Sequence, residues 1–232
     1  MARARGQHAL PRLKGVSIDS GRRTSAYEQV KEAILGATLR PMERITEGDV
    51  ASRLGLSRTP VREAFGLLAA EGLIVVVPQR GSFVSQLRID DILEIYQIRA
   101  PLECLAARIA AETIDERGLA ALDGLVAVEA AGEGARTARE SLDANVEFHR
   151  IILECVRNRR LKALVGQLQR QVHRARLLWP ATPGRLGETW KEHAELAAAL
   201  RARDPDRAEQ TMRTHLEHAR ASTLDRMLPV TR

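Results

Sequence analysis

Apolar positions along the chain change their period twice. Val50, Ala51 and Leu54 form one short stripe, and Val61, Ala64, Phe65 and Leu68 form a second; recurrence every third or fourth residue predicts two amphipathic helices. Leu73 to Val77 is instead a β-branched run, and Ser82 to Val84 a shorter one beyond Pro-Gln-Arg-Gly at 78 to 81. That alternation of runs and turn residues predicts a strand, turn, strand hairpin. From about residue 89 the helical period returns and persists. It predicts helices from Asp90 to about 111, from Thr113 or Asp115 to about 130, from 136 to 157, from Leu161 to Leu178, from 188 to 202 and from 205 to 226. Gly132 and Gly134, then Pro180, Pro183, Gly184 and Gly187, separate them.

Local chemistry sharpens the first pair of helices. Thr46 is placed to cap the first, with Asp49 three residues on and Ile45 and Val50 spaced as a hydrophobic staple. Gly55 supplies a left-handed stop, and Ser57 can cap the second helix, which Gly72 ends. Pro60 falls in the first turn, where its missing N–H is harmless. With the apolar stripe turned inward, Ser57, Arg58, Thr59 and Arg62 crowd the exposed N-terminal end, and Gln79 and Arg80 sit at the hairpin tip. Helix, turn, helix and wing in this order point to double-stranded DNA as the partner. The fold class is therefore mainly α: a winged helix-turn-helix with a small β-hairpin, followed by an all-α bundle of six or seven helices. The expected divisions are a disordered basic arm over 1–22, a DNA-binding domain over 23–88 and an all-α helical domain over 89–228.

Charge follows the same division. Residues 1–88 hold 14 of the 36 Lys/Arg but 8 of the 30 Asp/Glu, so the whole net charge of +6 lies there and the remainder is neutral. Counterion release from a phosphate backbone favours such a distribution. Arg3, Arg5, Arg12 and Lys14 sit among Gly, Pro and small residues that cannot form a core. Only 3% of residues are aromatic, so Leu, Ala, Val and Ile must fill both cores. No long apolar run or apolar segment after the basic start suggests a membrane span or a secretory signal, and a cytoplasmic location is expected. Cys104 and Cys155 are far apart and on apolar helix faces, which predicts buried thiols in place of a redox pair.

The block L-G-L-S-R-T-P-V-R-E-A at 54–64, followed by E-G-L and a wing ending in R-G-S-F-V, resembles the GntR family of bacterial transcription regulators over roughly residues 25 to 85. The resemblance implies that Arg58, Arg62 and Thr59 touch DNA, with Arg58 or Arg62 suited to a bidentate guanine contact and Thr59 to phosphate. Two positions depart from the family: Gly48 stands where an arginine is usual, and Pro41-Met42 where Pro-Gly is usual. These departures imply an altered operator preference, not loss of binding.

The helical half resembles, through fewer and weaker motifs, the FCD-type effector domain of one GntR subfamily. That family typically sets a carboxylate and three histidines on a divalent metal. Asn145 and His149 are four residues apart and share a helix face, and His193 in K-E-H-A-E-L and His215 in M-R-T-H-L stand in the corresponding contexts. Asn145 replaces a common aspartate, which weakens metal binding but leaves the site more positive toward an anionic effector; zinc, nickel or manganese are the candidates. The alternative is a set of hydrogen-bonded core histidines. His173 and His218 read as surface or supporting groups, and His8 belongs to the arm.

Arg99 falls on the apolar stripe of Ile92, Ile95, Leu102, Ala106 and Ile109, so its guanidinium is drawn inward and needs a partner: Glu103 one turn on, or a ligand carboxylate. Arg170, Arg174 and Arg176 offer the same chemistry, and spacing does not choose among them. The function expected is a homodimeric regulator, in the usual sense of the family a repressor, bound to a pseudo-palindromic operator and released by a small organic or sugar acid. Two other classes compete: a metal-dependent enzyme using the histidines, which lacks an H-E-x-x-H or an evident general base and leaves the DNA module unexplained, and an architectural DNA-binding dimer without effector.

Overall fold

The computed structural model describes residues 26–130, 137–179 and 184–228. The expected basic arm and the breakers Gly132, Gly134, Pro180 and Pro183 lie outside the described residues. The chain divides into two compact units between Leu87 and Arg88.

The first unit opens with α1 (Ala26–Leu35), β1 (Arg44–Ile45), α2 (Glu47–Leu54) and α3 (Arg58–Ala70), and closes with β2 (Ile74–Val77) and β3 (Gly81–Val84). The hydroxyl of Thr46 accepts from the Asp49 N–H at 3.1 Å and starts α2, and Gly55, at φ 65°, ends it. Val61, Ala64, Phe65 and Leu68 point inward as one stripe onto Val30, Ile34, Ile45 and Val50. The hairpin pairs antiparallel with Ile74 opposite Val84 and Val77 opposite Gly81. Two elements go beyond the sequence reading: α1, whose Val30 and Ile34 are fully buried, and the two-residue β1, which pairs with β3 and makes a three-stranded sheet in the order β1-β3-β2. A strand this short carries no periodicity to read.

The second unit is built of α4 (Ile89–Thr113), α5 (Glu116–Ala130), α6 (Ala138–Glu154), α7 (Arg159–Leu178), α8 (Arg185–Arg201) and α9 (Pro205–Met227). Small residues on α4, Ala107, Ala110 and Ala111, are fully buried together with Ala208, Met212 and Leu216 of α9; small side chains let two helices approach closely, which is how a core with few aromatic residues stays dense. Asp90 does not cap α4. That position belongs to Arg88, whose N–H donates to the Asp91 carboxylate at 2.6 Å, leaving Asp90 in the first turn. Thr137, Asn158 and Asp204 each accept a first-turn N–H and start α6, α7 and α9.

Candidate nucleic-acid interface and metal centre

Ser57, Arg58, Thr59 and Arg62 are exposed at the N-terminal end of α3, and Gln79 and Arg80 at the turn between β2 and β3. Val61, Ala64 and Phe65 produce this exposure, since burying their stripe turns the intervening positions outward. Ser57 occupies the N-cap position, but its side chain makes no capping hydrogen bond, so the first-turn N–H groups of α3 are not taken by it. Arg62 reaches back to α2 and donates to Glu47 at 3.2 Å; with its side chain 73% exposed, that pair is worth at most about 1 kcal/mol and gives way readily. A Cβ on Gly48 would lie 3.7 Å from the Arg58 guanidinium, so a side chain there would stand beside Arg58. Gln79 has φ 62° and Gly81 φ 104°, giving the turn its left-handed course. Arg44, exposed on β1, packs its guanidinium 3.2 Å from where a Gly81 Cβ would be; the sequence reading passed over it because β1 itself was illegible.

In the helical unit three histidines converge. His149 on α6, His193 on α8 and His215 on α9 are buried, and one nitrogen from each lies within 4.8 Å of the others. Nε2 of His149 and Nε2 of His215 are 3.2 Å apart. Behind two of the three rings stands a carboxylate: Nδ1 of His215 is 2.7 Å from Glu192 Oε2, and Nδ1 of His149 is 2.8 Å from Glu103 Oε2. The hydrogen bond to Glu192 favours a proton on Nδ1 of His215, which turns the lone pair of its Nε2 toward Nε2 of His149. A cation between them would satisfy both lone pairs, as would a proton on one Nε2 making an N–H···N hydrogen bond. Tetrahedral zinc with Zn–N of about 2.0–2.1 Å sets its ligand nitrogens about 3.3 Å apart.

The remaining donors fit the same cation. His193 stacks on Phe148, ring centroids 4.0 Å apart and 8° from parallel, and neither of its ring nitrogens has a hydrogen-bond partner. Asn145, 6% exposed, likewise leaves Oδ1 without one. Burial pushes His149 below the ordinary imidazole value against the pull of Glu103, and it pushes His215 down to about 3 against Glu192. His193 is held well below, by burial and by its two neighbours. Neutral imidazole is the form that ligates metals. Burial would raise Glu192, but hydrogen bonds from His215, Arg185 and His218 bring it down to about 2. Glu103, also buried, is held low by Arg99 and His149.

Next to this centre lies a small cavity of about 40 Å³ whose lining includes Asn145, Arg176, Trp179, Arg185, Trp190 and Thr223. Arg185 is spoken for by Glu192, in two hydrogen bonds of 2.9 and 3.0 Å. The expected effector arginines fare differently. Arg99 is buried in an ion pair with Glu103, the internal partner of the two that its spacing allowed. Arg174 is buried but does not line the cavity, and exposed Arg170 borders a separate groove between α6 and α7. Arg176 and Arg185 line this cavity, whereas the expected Arg170 and Arg174 do not. The physical reason is rotation: residues 174 and 176 lie about 200° apart around α7, and packing alone selects the side that meets the cavity.

Sequence reasoning missed Glu103 and Glu192 as supports of the histidines, although a carboxylate behind each buried ligand is a general expectation. His218 joins Glu192 at 2.8 Å. His173 is half-buried, 3.9 Å from Asp143. Cys104 is buried and its thiol pushed up to about 11. Half-buried Cys155 is raised as well, so neither offers a reactive thiolate.

Known proteins resemble this chain in sequence and fold. Residues 22–84 match the family described as bacterial regulatory proteins, gntR family, and residues 94–218 match the FCD domain. The HTH-type transcriptional regulator YdhC of Bacillus subtilis is 32% identical over 193 residues, which is 83% of this chain and 86% of that protein. A probable D-xylose utilization operon transcriptional repressor of Paenarthrobacter nicotinovorans is 31% identical over 204 residues, 84% and 87% of the two chains. A GntR transcriptional regulator from Rhodococcus sp. RHA1 has a similar structure, with a TM-score of 0.70 at 27% identity over 86% of this chain and 95% of the other.

Proposed function

The chain belongs to the GntR family of bacterial transcription regulators and carries an FCD domain, and from that premise we propose that it is an effector-controlled repressor acting as a homodimer on a pseudo-palindromic operator. It is a regulator and not an enzyme. In this reading Arg58 and Arg62 enter the major groove, where a guanidinium makes two hydrogen bonds to one guanine. Thr59, Ser57 and the α3 N-terminus hold phosphate, and Gln79 and Arg80 steady the wing. The single observation that carries the reading is the exposure of Arg58, Thr59 and Arg62 together at the start of a helix whose other face is fully packed.

The helical domain supplies the control. Asn145, His149, His193 and His215 would hold a divalent zinc, nickel or manganese ion, which when bound supplies a Lewis-acidic cation for an effector carboxylate. Glu192 favours the metal-binding tautomer of His215, and the Glu103 carboxylate stands 2.8 Å from Nδ1 of His149. Arg176 and Arg185 draw an anionic effector, an organic or sugar acid, into the cavity. Glu103 lies on α4 and His215 on α9, so occupancy of the centre bears directly on how these helices pack, and the effector shifts the population of dimer geometries that match the half-site spacing. We place it in the cytoplasm, where a bacterial regulator meets its DNA; no described helix is long and apolar enough to cross a membrane.

The test is binding of the purified protein to its own promoter region, followed by fluorescence anisotropy at several salt concentrations. Binding should fall steeply with salt, and Arg58→Ala should weaken specific binding roughly tenfold to a hundredfold. An Arg58→Ala protein that binds its site like the parent overturns the assignment.

A further inference from the structure

The two arginines at the head of α3 are held differently. Arg62 is tied to Glu47 of α2: its Nε lies 3.3 Å from Oε1 and 3.2 Å from Oε2, and its Nη2 lies 3.2 Å from Oε2. Among the described residues no carboxylate reaches Arg58, whose guanidinium stands beside Gly48 instead. Glu47 is itself fixed in place. It is the first residue of α2, directly after the Thr46 cap, and its negative charge suits the positive end of that helix. Its side chain is 31% exposed against 73% for Arg62, so the carboxylate is the more covered member of the pair and the guanidinium projects beyond it.

A guanidinium has two edges that can each make a pair of hydrogen bonds, and Glu47 occupies the one formed by Nε and Nη2. The other, formed by Nη1 and the second N–H of Nη2, stays open, and its two parallel donors match O6 and N7 of guanine. Resting on the reading that Arg62 enters the major groove, we infer that Glu47 is a positioning residue for sequence recognition: it holds the plane of the Arg62 guanidinium so that the free edge reads one guanine in each half-site. Two physical effects act in this direction. An unrestrained arginine loses much rotamer freedom when it docks, and a fork already held by a carboxylate loses less. The pair is weak while water surrounds it, but it strengthens once the duplex displaces that water, because the local dielectric falls. A carboxylate on the DNA-facing surface also opposes binding to any phosphate backbone, so Glu47 lowers affinity for random DNA while raising the preference for the correct base.

The experiment selects binding sites from a pool of random duplexes with the full-length protein and with Glu47→Gln, Glu47→Asp, Arg62→Ala and the double variant Glu47→Gln/Arg62→Ala, and sequences what each retains. Anisotropy titrations on the selected site and on random-sequence DNA run beside it. Arg62→Ala should lose a guanine preference at one position per half-site. Glu47→Gln should weaken that same preference about threefold to tenfold, keep the others, and bind random-sequence DNA more tightly. Glu47→Asp keeps the charge at the start of α2 but falls short of the guanidinium edge, so it should weaken the preference as well; this variant keeps the test decisive if Glu47→Gln disturbs α2. In the Arg62→Ala background Glu47→Gln should change no base preference further. An unchanged site for both Glu47 variants, beside a changed one for Arg62→Ala, overturns the inference and leaves Arg62 as a reader. A loss spread evenly over all positions overturns it too, since a Glu47 that only holds α2 together would produce that. If Arg62→Ala selects the parent site, the groove reading of Arg62 fails, and the inference with it.

Discussion

Glu103→Gln is the perturbation with the most structure behind it. Glu103 is 2% exposed and so is Arg99, its ion-pair partner one helical turn earlier. The same carboxylate accepts from Gln169 at 3.1 Å and lies 2.8 Å from His149. Replacing it with glutamine keeps the shape and one hydrogen-bonding oxygen but removes the charge. At an effective dielectric of about 20 and a charge separation of about 4 Å the lost attraction is about 4 kcal/mol, in line with the roughly 3–5 kcal/mol measured when one partner of a buried pair is removed. The expected loss is therefore about 3–5 kcal/mol in the helical unit. Urea unfolding of chelator-treated protein, followed by tryptophan fluorescence, isolates that unit because both tryptophans lie in it. Arg99→Met in combination should recover part of the loss, with a coupling of at least about 2 kcal/mol. A Glu103→Gln loss below about 1 kcal/mol, or additive single and double variants, would refute the claim that an internal ion pair anchors this helix.

Three further outcomes are expected. Met42 stands in the left-handed region at φ 63°, where the family usually has glycine, so Met42→Gly should raise the calorimetric unfolding temperature of the first unit, with a gain of up to about 1 kcal/mol; a lower temperature would count against strain there. Gly48→Arg should place a second cation beside Arg58, increasing DNA affinity and steepening its salt dependence by about one phosphate's worth; an unchanged slope in anisotropy titrations would contradict this. In chelator-treated protein the buried histidines titrate lower when folded than when unfolded, so stability is full above about pH 6.5 and declines as pH falls below it. For His215, pushed down to about 3, the loss by pH 5 is about 2 kcal/mol; a urea midpoint that is the same at pH 7.5 and pH 5 would contradict the burial argument.

Much of the architecture is local in origin and so was readable along the chain. The helix-turn-helix is set by Thr46 at a cap, Gly55 at a left-handed stop and an apolar stripe from Val61 to Leu68, each acting over a few residues. The six bundle helices follow from long runs of one period, and three of them are started by Thr137, Asn158 and Asp204. Asn145 and His149 share a face because helical geometry requires it. Elements held only by distant partners were not legible. β1 exists because Arg44 and Ile45 pair with Phe83 and Ser82. Glu103 and Glu192 support His149 and His215 from other helices. Arg176, in place of Arg170 or Arg174, meets the cavity because packing on both sides of α7 chose its rotation. Periodicity states which side of a helix is apolar, but a helix buried on more than one side has several candidate faces, and only contacts across the bundle decide which side chain looks into the space between.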